Sequence, residues 1–175
     1  MDHVAVSKHL SYLLRHHPGG LDMDRHGYVP VEQVLQKLHQ RFPGLTRRRL
    51  QQLVDDSDRQ RFEIRDGNIR ARYGHSIAVD IDWPVADDIA VLFHGTTEQA
   101  AAAILERGLQ SRGRQMVHLS ATKEEARRVG RRHGQPVVLH IDAEAARRRD
   151  VTFYRATDTV ILASYVPAAV ISRSG

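Results

Sequence analysis

Apolar residues recur at helical spacing in three stretches near the start of the chain. The predicted helices cover Ser7–His16, Val31–Leu38 and a segment from Thr46 through Val54. The first of them ends at the turn Pro18-Gly19-Gly20, and Thr46 is a favourable N-cap for the third. The chain is therefore predicted to open with three short amphipathic helices.

After these helices the pattern changes from helical spacing to alternation. Phe62–Arg65 and Ile69–Arg72 alternate between apolar and polar residues, and Asp66-Gly67 between them favours a tight hairpin turn. Three helices followed by a β-hairpin are typical of a winged-helix-like module, an architecture often used on nucleic acid.

An acidic, proline-interrupted stretch, Asp80–Asp88, indicates a domain boundary. We place it after Trp83, which gives domains of residues 1–83 and 84–175. The second domain has a mixed pattern and completes an α+β fold. Strands are predicted over Ile89–Phe93, Val117–Leu119, Val137–Ile141, Phe153-Tyr154 and Val160–Leu162, and helices over Glu98–Arg107 and Lys123–Arg132.

Composition narrows the classes of protein that fit this pattern. A length of 175 residues is enough for a hydrophobic core, and the net charge of +5 with a pI of about 10.0 suits an anionic partner. The absence of cysteine excludes disulfides, thiolate nucleophiles and cysteine-based zinc sites. No signal peptide or membrane-spanning apolar run is visible, so a cytoplasmic protein without a membrane association is expected.

Two predicted helices end in a block of basic residues. Arg15 and His16 precede Pro18 in RHHP, and Arg132 lies in VGRRHG. Basic residues at a helix C-terminus interact favourably with the helix dipole, by about 0.3–1 kcal/mol. An arginine fork beside a titratable histidine would also suit a phosphate. The residues alone leave both interpretations open.

The segment IRARYGHS is a second candidate for anion binding. Arg70 and Arg72 lie on the same face of a strand, and Gly74 allows a turn that presents His75 and Ser76. The alternative is a solvent-facing strand at a sheet edge, where charges discourage aggregation.

Two histidine segments follow predicted strands in the second domain. His94-Gly95-Thr96 combines a strand end, a small residue and a helix start, an arrangement that recurs in nucleotide sites. His118 and Ser120 repeat the histidine–hydroxyl pair. An ordinary β–α turn would also give the first pattern. The histidines lack metal-ligand spacing, so no metal site is predicted.

In order along the chain, SKHLSYLLRHHP, GYVPVEQVL, RARYGHS, HGT, HLS and VGRRHG resemble the motifs of one family. It is the NAD-dependent RNA (tRNA) 2′-phosphotransferases of the KptA type. The resemblance runs from about residue 4 to about residue 170. Two positions depart from the family pattern: Tyr73 replaces the usual glutamine, and Asp158-Thr159 replaces the usual asparagine-glycine.

The resemblance implies a winged-helix RNA-binding lobe followed by an ADP-ribosyltransferase-like lobe. It implies transfer of an internal RNA 2′-phosphate to ADP-ribose, with NAD consumed as co-substrate and no metal, by what we expect to be a monomer. The implied residues are catalytic Arg15, His16, Arg70 and Arg132, NAD-binding His94, Gly95, Thr96, His118 and Ser120, and RNA-binding Lys8, His75 and Ser76.

Three other functions fit part of the sequence. A two-histidine cyclic phosphodiesterase would use His94/Thr96 and His118/Ser120 but leaves Arg15 unexplained. An ADP-ribosyltransferase that modifies a terminal nucleic-acid phosphate or a protein is closer in class. A basic winged-helix RNA-binding module without activity would not need the HGT, HLS and VGRRHG segments.

Overall fold

A computed structural model describes residues 2–175. The chain forms two compact units, of which the first ends at Asp82 and the second begins at Trp83. This division lies one residue from the boundary predicted from the sequence. Both units combine helices with antiparallel strands, so the α+β class is confirmed. Within residues 2–175, no helix has the length and apolar character needed to cross a membrane.

The first unit contains three helices and a three-stranded antiparallel sheet of strand order β1-β3-β2. Its elements are α1 (His3–Arg15), β1 (Val29–Pro30), α2 (Val31–His39), α3 (Arg47–Asp55), β2 (Phe62–Arg65) and β3 (Asn68–Ala71). Strands β2 and β3 form the predicted hairpin around Asp66 and Gly67, which have φ angles of 49° and 76°. Positive φ at both turn positions matches the twist of the strands.

The position of β3 corrects one interpretation of IRARYGHS. Because β3 pairs with both β1 and β2, it is the central strand and not a solvent-facing edge. Arg70 therefore projects from the middle of the sheet, where neighbouring strands can fix its side chain.

Helix α1 begins four residues earlier than predicted. The side chain of Asp2 caps it by accepting hydrogen bonds from the backbone N–H groups of Val4 and Ala5 at 2.9 and 3.2 Å. Leu10 and Leu14 on this helix are fully buried in the core of the first unit, together with Leu50 of α3. Each such side chain contributes roughly 1.5–3 kcal/mol of hydrophobic stabilisation.

The second unit is built on a six-stranded antiparallel sheet of order β11-β7-β4-β6-β9-β8, with a separate pair β10-β5. Its elements are β4 (Val91–Thr96), α4 (Glu98–Arg107), β5 (Leu109–Gln110), β6 (Val117–Ser120), α5 (Lys123–Gly130), β7 (Val137–Asp142), α6 (Ala143–Arg147), β8 (Tyr154–Arg155), β9 (Val160–Ala163), β10 (Tyr165–Val166) and β11 (Ile171–Arg173). The strands β4 and β6, which carry the two histidine segments, are neighbours in the sheet.

One helix of the second unit ends earlier than its sequence predicted. The prediction extended α5 to Arg132, but the α-helix stops at Gly130 and residues Arg131–His133 form a 3₁₀ turn. The tighter turn places these basic residues on the surface at the end of the helix.

Candidate active site

The C-terminus of α1 is tied to the segment that follows β3. Arg15 is the last residue of the helix, and its carbonyl oxygen accepts hydrogen bonds from the backbone N–H groups of Ser76 and Ile77 at 3.0 and 3.4 Å. Carbonyl groups in the last turn of a helix have no partner within that helix. The contact thus satisfies one of them and brings Arg15 next to the GHS segment.

The Arg15 guanidinium lies against aromatic rings. Its Cζ is 5.0 Å from the ring centroid of Tyr73 and 5.8 Å from that of Phe62, within cation–π range. Gly74, with φ of +90°, packs against the same side chain, and a Cβ there would lie 3.2 Å from both Cζ and Nε. The positive φ and this close approach together explain why a glycine occupies the position.

Arg70 is held differently. It pairs across the hairpin with Glu63, whose carboxylate accepts a hydrogen bond from the Arg70 Nε. Its Nη1 donates to the carbonyl of His26 at 3.2 Å, and its Cζ lies 4.4 Å from the ring centroid of Tyr28. Burial raises the pKa of the Tyr28 hydroxyl, and the charge of Glu63 adds to the rise. These contacts fix the Arg70 guanidinium in one orientation.

His16 follows Arg15 and is exposed. Its Nδ1 lies 2.9 Å from the hydroxyl oxygen of Ser76, and that hydroxyl donates to the Arg15 carbonyl at 3.4 Å. A serine hydroxyl has one proton, so a hydroxyl that donates to the carbonyl must accept from Nδ1. In this arrangement the Nδ1 of a neutral His16 carries the proton, and Nε2 carries the lone pair.

His75 lies below this surface, with only 2% of its area exposed. Within residues 2–175, neither of its ring nitrogens has a hydrogen-bond partner. Burial, followed by the charges of Arg15, Arg70 and His16, lowers the pKa of His75 to about 4. This imidazole is therefore neutral at pH 7. A Cβ at Gly27 would lie 3.5 Å from the His75 Nε2 and 3.9 Å from the Arg70 Cβ, and Ser76, next to His75, binds both Arg15 and His16. The structure therefore brings these basic residues together around His75.

We call Arg15, His16, Arg70 and His75 the basic cluster. It unites three of the four residues predicted to be catalytic and places His75 beneath them. Ser76 is at its surface, bonded to His16, whereas Lys8 is exposed on α1 two helical turns before Arg15. RNA contacts by Lys8, His75 and Ser76 stay predictions.

In the second unit, His94, Gly95 and Thr96 lie at the C-terminal end of β4, and His118 and Ser120 lie on the neighbouring antiparallel strand β6, with Ser120 opposite Phe93. The Nδ1 of His94 donates to the backbone carbonyl of His118 at 3.0 Å when the ring is neutral, and burial lowers the pKa of His94 while this bond opposes the shift. The side chains of Thr96 and Ser120 are buried. We call His94, Thr96, His118 and Ser120 the strand-end site.

Gly95 is required by helix packing. A Cβ at this position would lie 1.6 Å from the carbonyl oxygen of Ala126 in α5, a separation that no side chain tolerates. Gly130 at the end of the same helix also packs against β4, because a Cβ there would lie 3.2 Å from the backbone of Thr96. Gly95 therefore has a packing role, and its contact with NAD⁺ stays a prediction.

Arg132 belongs to the second unit and is exposed in the 3₁₀ turn that follows Gly130. Because Gly130 contacts Thr96, this turn begins beside the strand-end site. The four residues predicted to be catalytic are therefore divided between the units: Arg15, His16 and Arg70 in the first, Arg132 in the second.

The sequence did not predict the side chains that hold the arginines. Phe62, Tyr28 and Glu63 read as ordinary core and hairpin residues, since their contacts depend on the register of three strands. Tyr73 did give a signal, because an aromatic residue departs from the family pattern directly after the two arginines.

The fold and the two sites define a basic α+β protein. Known proteins similar to it match over most of the chain. A model of the RNA 2′-phosphotransferase, Tpt1/KptA family matches residues 1–165. The chain belongs to this family and is a transferase.

Curated relatives match this chain over most of their own length and most of its length. The chain is 39% identical over 176 residues to a probable RNA 2′-phosphotransferase of Acetivibrio thermocellus, covering 98% of this chain and 97% of the relative. It is 42% identical to that of Acaryochloris marina, with 94% and 93% covered. It is 38% identical to that of Pyrococcus horikoshii, with 95% and 96% covered.

Proposed function

We propose that the protein transfers an internal RNA 2′-phosphate to the ADP-ribose of NAD⁺. The products are nicotinamide, 2′-OH RNA and ADP-ribose 1″,2″-cyclic phosphate. The observation that carries the proposal is the contact geometry that brings Arg15, Arg70 and His16 around His75, in a chain that belongs to the RNA 2′-phosphotransferase family. Fixed guanidinium groups of this kind suit the binding of a phosphate dianion.

In the first step, a phosphate oxygen of the RNA attacks C1″ of the nicotinamide ribose. The bond from C1″ to the nicotinamide nitrogen breaks, and its electron pair leaves with nicotinamide. A phosphate dianion is already a nucleophile, so this step requires positioning more than a strong base. Arg15 and Arg70 would provide that positioning on the RNA side.

In the second step, the 2″-hydroxyl oxygen of the ADP-ribose attacks phosphorus, and the bond from phosphorus to the RNA 2′-oxygen breaks. The proton of the 2″-hydroxyl ends on the RNA 2′-oxygen. Charge grows on the phosphoryl oxygens, where Arg15, Arg70 and Arg132 would stabilise it. His16 would transfer the proton, since imidazole titrates in the working range.

The strand-end site is proposed to hold NAD⁺. Thr96 and Ser120 supply buried hydroxyl groups, and His94 supplies a half-buried neutral imidazole, on the neighbouring antiparallel strands β4 and β6. A nucleotide site needs a few such well-placed polar groups. In this proposal the second unit is an ADP-ribosyltransferase-like lobe and binds NAD⁺ through His94, Gly95, Thr96, His118 and Ser120.

The three helices and hairpin of the first unit support a winged-helix-like RNA-binding lobe. Lys8 and Ser76 would contact the RNA, whose natural form we propose to be tRNA-like, and the buried His75, also predicted to bind RNA, would support this surface from beneath. The protein would act in the cytoplasm as a monomer, without a metal.

The second candidate is an ADP-ribosyltransferase that modifies a terminal nucleic-acid phosphate or a protein. The same basic cluster favours it, since a terminal phosphate would also be bound by Arg15 and Arg70. The two functions differ in whether the acceptor keeps its phosphate.

The test is incubation of the purified protein with a short RNA bearing one internal 2′-phosphate, with and without NAD⁺. We expect NAD-dependent formation of 2′-OH RNA and the cyclic phosphate product. Arg15→Ala should lower the rate by about 10²–10³-fold, by analogy with loss of one oxyanion donor. Arg41→Ala removes an exposed arginine of the same unit and should leave the rate unchanged.

The possible outcomes separate the candidates. Consumption of NAD⁺ while the RNA keeps its phosphate would favour the ADP-ribosyltransferase. Untouched NAD⁺ would overturn the proposal.

A further inference from the structure

The contacts around Arg15 and Arg70 include different kinds of side chain. Arg70 donates to the carboxylate of Glu63, which neutralises much of its charge. Arg15 lies instead on the faces of two neutral rings, Tyr73 at 5.0 Å and Phe62 at 5.8 Å. A ring face attracts a guanidinium through its quadrupole without adding a negative charge. These ring contacts help to hold the Arg15 guanidinium in place.

The ring beneath Arg15 is itself fixed. Tyr73 is 8% exposed, and its hydroxyl donates to the backbone carbonyl of Arg59 at 3.0 Å. The chain on either side is anchored as well: the N–H of Arg72 donates to the carbonyl of Arg61 at 2.9 Å, and Ser76 binds the Arg15 carbonyl. Tyr73 can therefore act as a rigid platform.

A third side of Arg15 is closed by backbone. Gly74 approaches so closely that even a methyl group would contact the guanidinium carbon. Two rings and one glycine together restrict the guanidinium to a narrow slot, and its Nε and Nη2 atoms are buried there. A side chain as long as arginine otherwise loses rotamer entropy when it is ordered by its ligand.

We infer that Tyr73, assisted by Phe62, is a positioning residue that orders the Arg15 guanidinium before the RNA phosphate binds. The inference rests on the proposed function for the identity of the anion. It gives a physical role to a residue that departs from the family pattern: here the arginine is held by a ring face, which uses none of its N–H donors.

The first test is a double-mutant cycle between Tyr73→Leu and Arg15→Ala, with the phosphate-transfer rate as readout. Loss of the ring should lower kcat/KM about tenfold in the native background, within the range of a buried cation–π contact. In the Arg15→Ala background the same change should have less than about a twofold effect, because the group it positions is gone. Tyr73→Phe keeps the ring face and should retain most of the activity.

Phe42→Leu is the matched control. It removes a partly buried ring of the same unit that lies 5.8 Å from the guanidinium carbon of another arginine, Arg41. We expect it to leave kcat/KM within about twofold of native in both backgrounds. Equal losses from Phe42→Leu and Tyr73→Leu, or a tenfold loss from Tyr73→Leu that persists in Arg15→Ala, would overturn the inference.

The second readout does not depend on activity. The Nε–H resonance of Arg15, assigned by its absence in Arg15→Lys, should exchange slowly with solvent in the native protein and in Tyr73→Phe. It should exchange rapidly in Tyr73→Leu and be unchanged in Phe42→Leu. Rapid exchange in the native protein would overturn the positioning role even if the enzyme is active. Slow exchange in a protein that does not consume NAD⁺ would place the failure in the proposed function.

Discussion

In the first unit, burial and three neighbouring cations lower the pKa of His75, whereas in the second unit burial alone lowers that of His94 and a backbone carbonyl opposes the shift. The basic cluster thus brings several basic residues together, and their charges make protonation of the buried His75 unfavourable. The strand-end site is shaped by close backbone packing, since Gly95 lies directly against α5. Substitutions in the first unit should therefore affect catalysis and pH dependence, and those at the glycines of the second should affect folding.

Gly95→Ala should have the largest effect. Its Cβ would lie 1.6 Å from the Ala126 carbonyl oxygen, so β4 and α5 must separate, and we expect a loss of more than about 4 kcal/mol of unfolding free energy. Amide hydrogen exchange should show the loss in the second unit. Gly113→Ala has open space around it and a φ of +65°, so it should cost only about 1–2 kcal/mol. Similar effects of both variants would contradict the packing argument.

Arg132→Ala should separate catalysis from folding. The side chain is exposed in its 3₁₀ turn, so the unfolding midpoint should not change. In the proposed function Arg132 is a donor to the phosphate, so its loss should lower the transfer rate by about 10²–10³-fold. Arg131→Ala removes the exposed arginine next to it and should keep near-native activity. If the two variants lose activity equally, the basic turn acts through its overall charge and not through Arg132.

These two sites also show what local sequence can and cannot predict. Helix α4 was predicted to the residue, because Thr97 and Gly108 are local start and stop signals. The same reasoning extended α5 too far, since the 3₁₀ turn after Gly130 depends on how that glycine packs against Thr96. The two-residue strand β1 and the C-terminal strand β11 were not predicted, as each is defined by a distant partner.

The candidate site, like the fold, was predicted only where local sequence determines it. The motifs predicted functional roles for Arg15, Arg70 and His75, but their convergence needs α1 to dock beside the end of a central strand. The role of Tyr73 depends on that docking as well. Tertiary contacts of this kind have no signature in residue spacing.

The pH dependence of stability should further distinguish the basic cluster from the strand-end site. The pKa of His75 is about 4 in the folded protein, below the ordinary value of 6.5, so the unfolded state binds a proton first as the pH falls. Stability should therefore decrease between about pH 6.5 and pH 4, by at most about 3 kcal/mol from this residue. Comparison of native protein with His75→Asn by denaturant unfolding measures the difference.

Two results would sharpen or contradict this interpretation. Arg15→Ala should raise the pKa of His75, followed by NMR, because it removes one of the charges that lower it. The pKa of His94 should not respond, since its shift comes from burial. Parallel acid slopes in native protein and His75→Asn would show that His75 does not contribute.

The smallest expected effect is that of removing a helix N-cap, and the two units offer the same kind of cap for comparison. Thr46 and Thr97 each accept a hydrogen bond from the third backbone N–H of a helix, at 3.3 and 3.4 Å. Replacement of either by alanine should cost about 1 kcal/mol in its own unit and change the transfer rate by less than about twofold. Thr97 follows Thr96 of the strand-end site. If both variants lose the same stability but Thr97→Ala loses more of the transfer rate than Thr46→Ala, the start of α4 contributes to NAD⁺ binding as well as to folding.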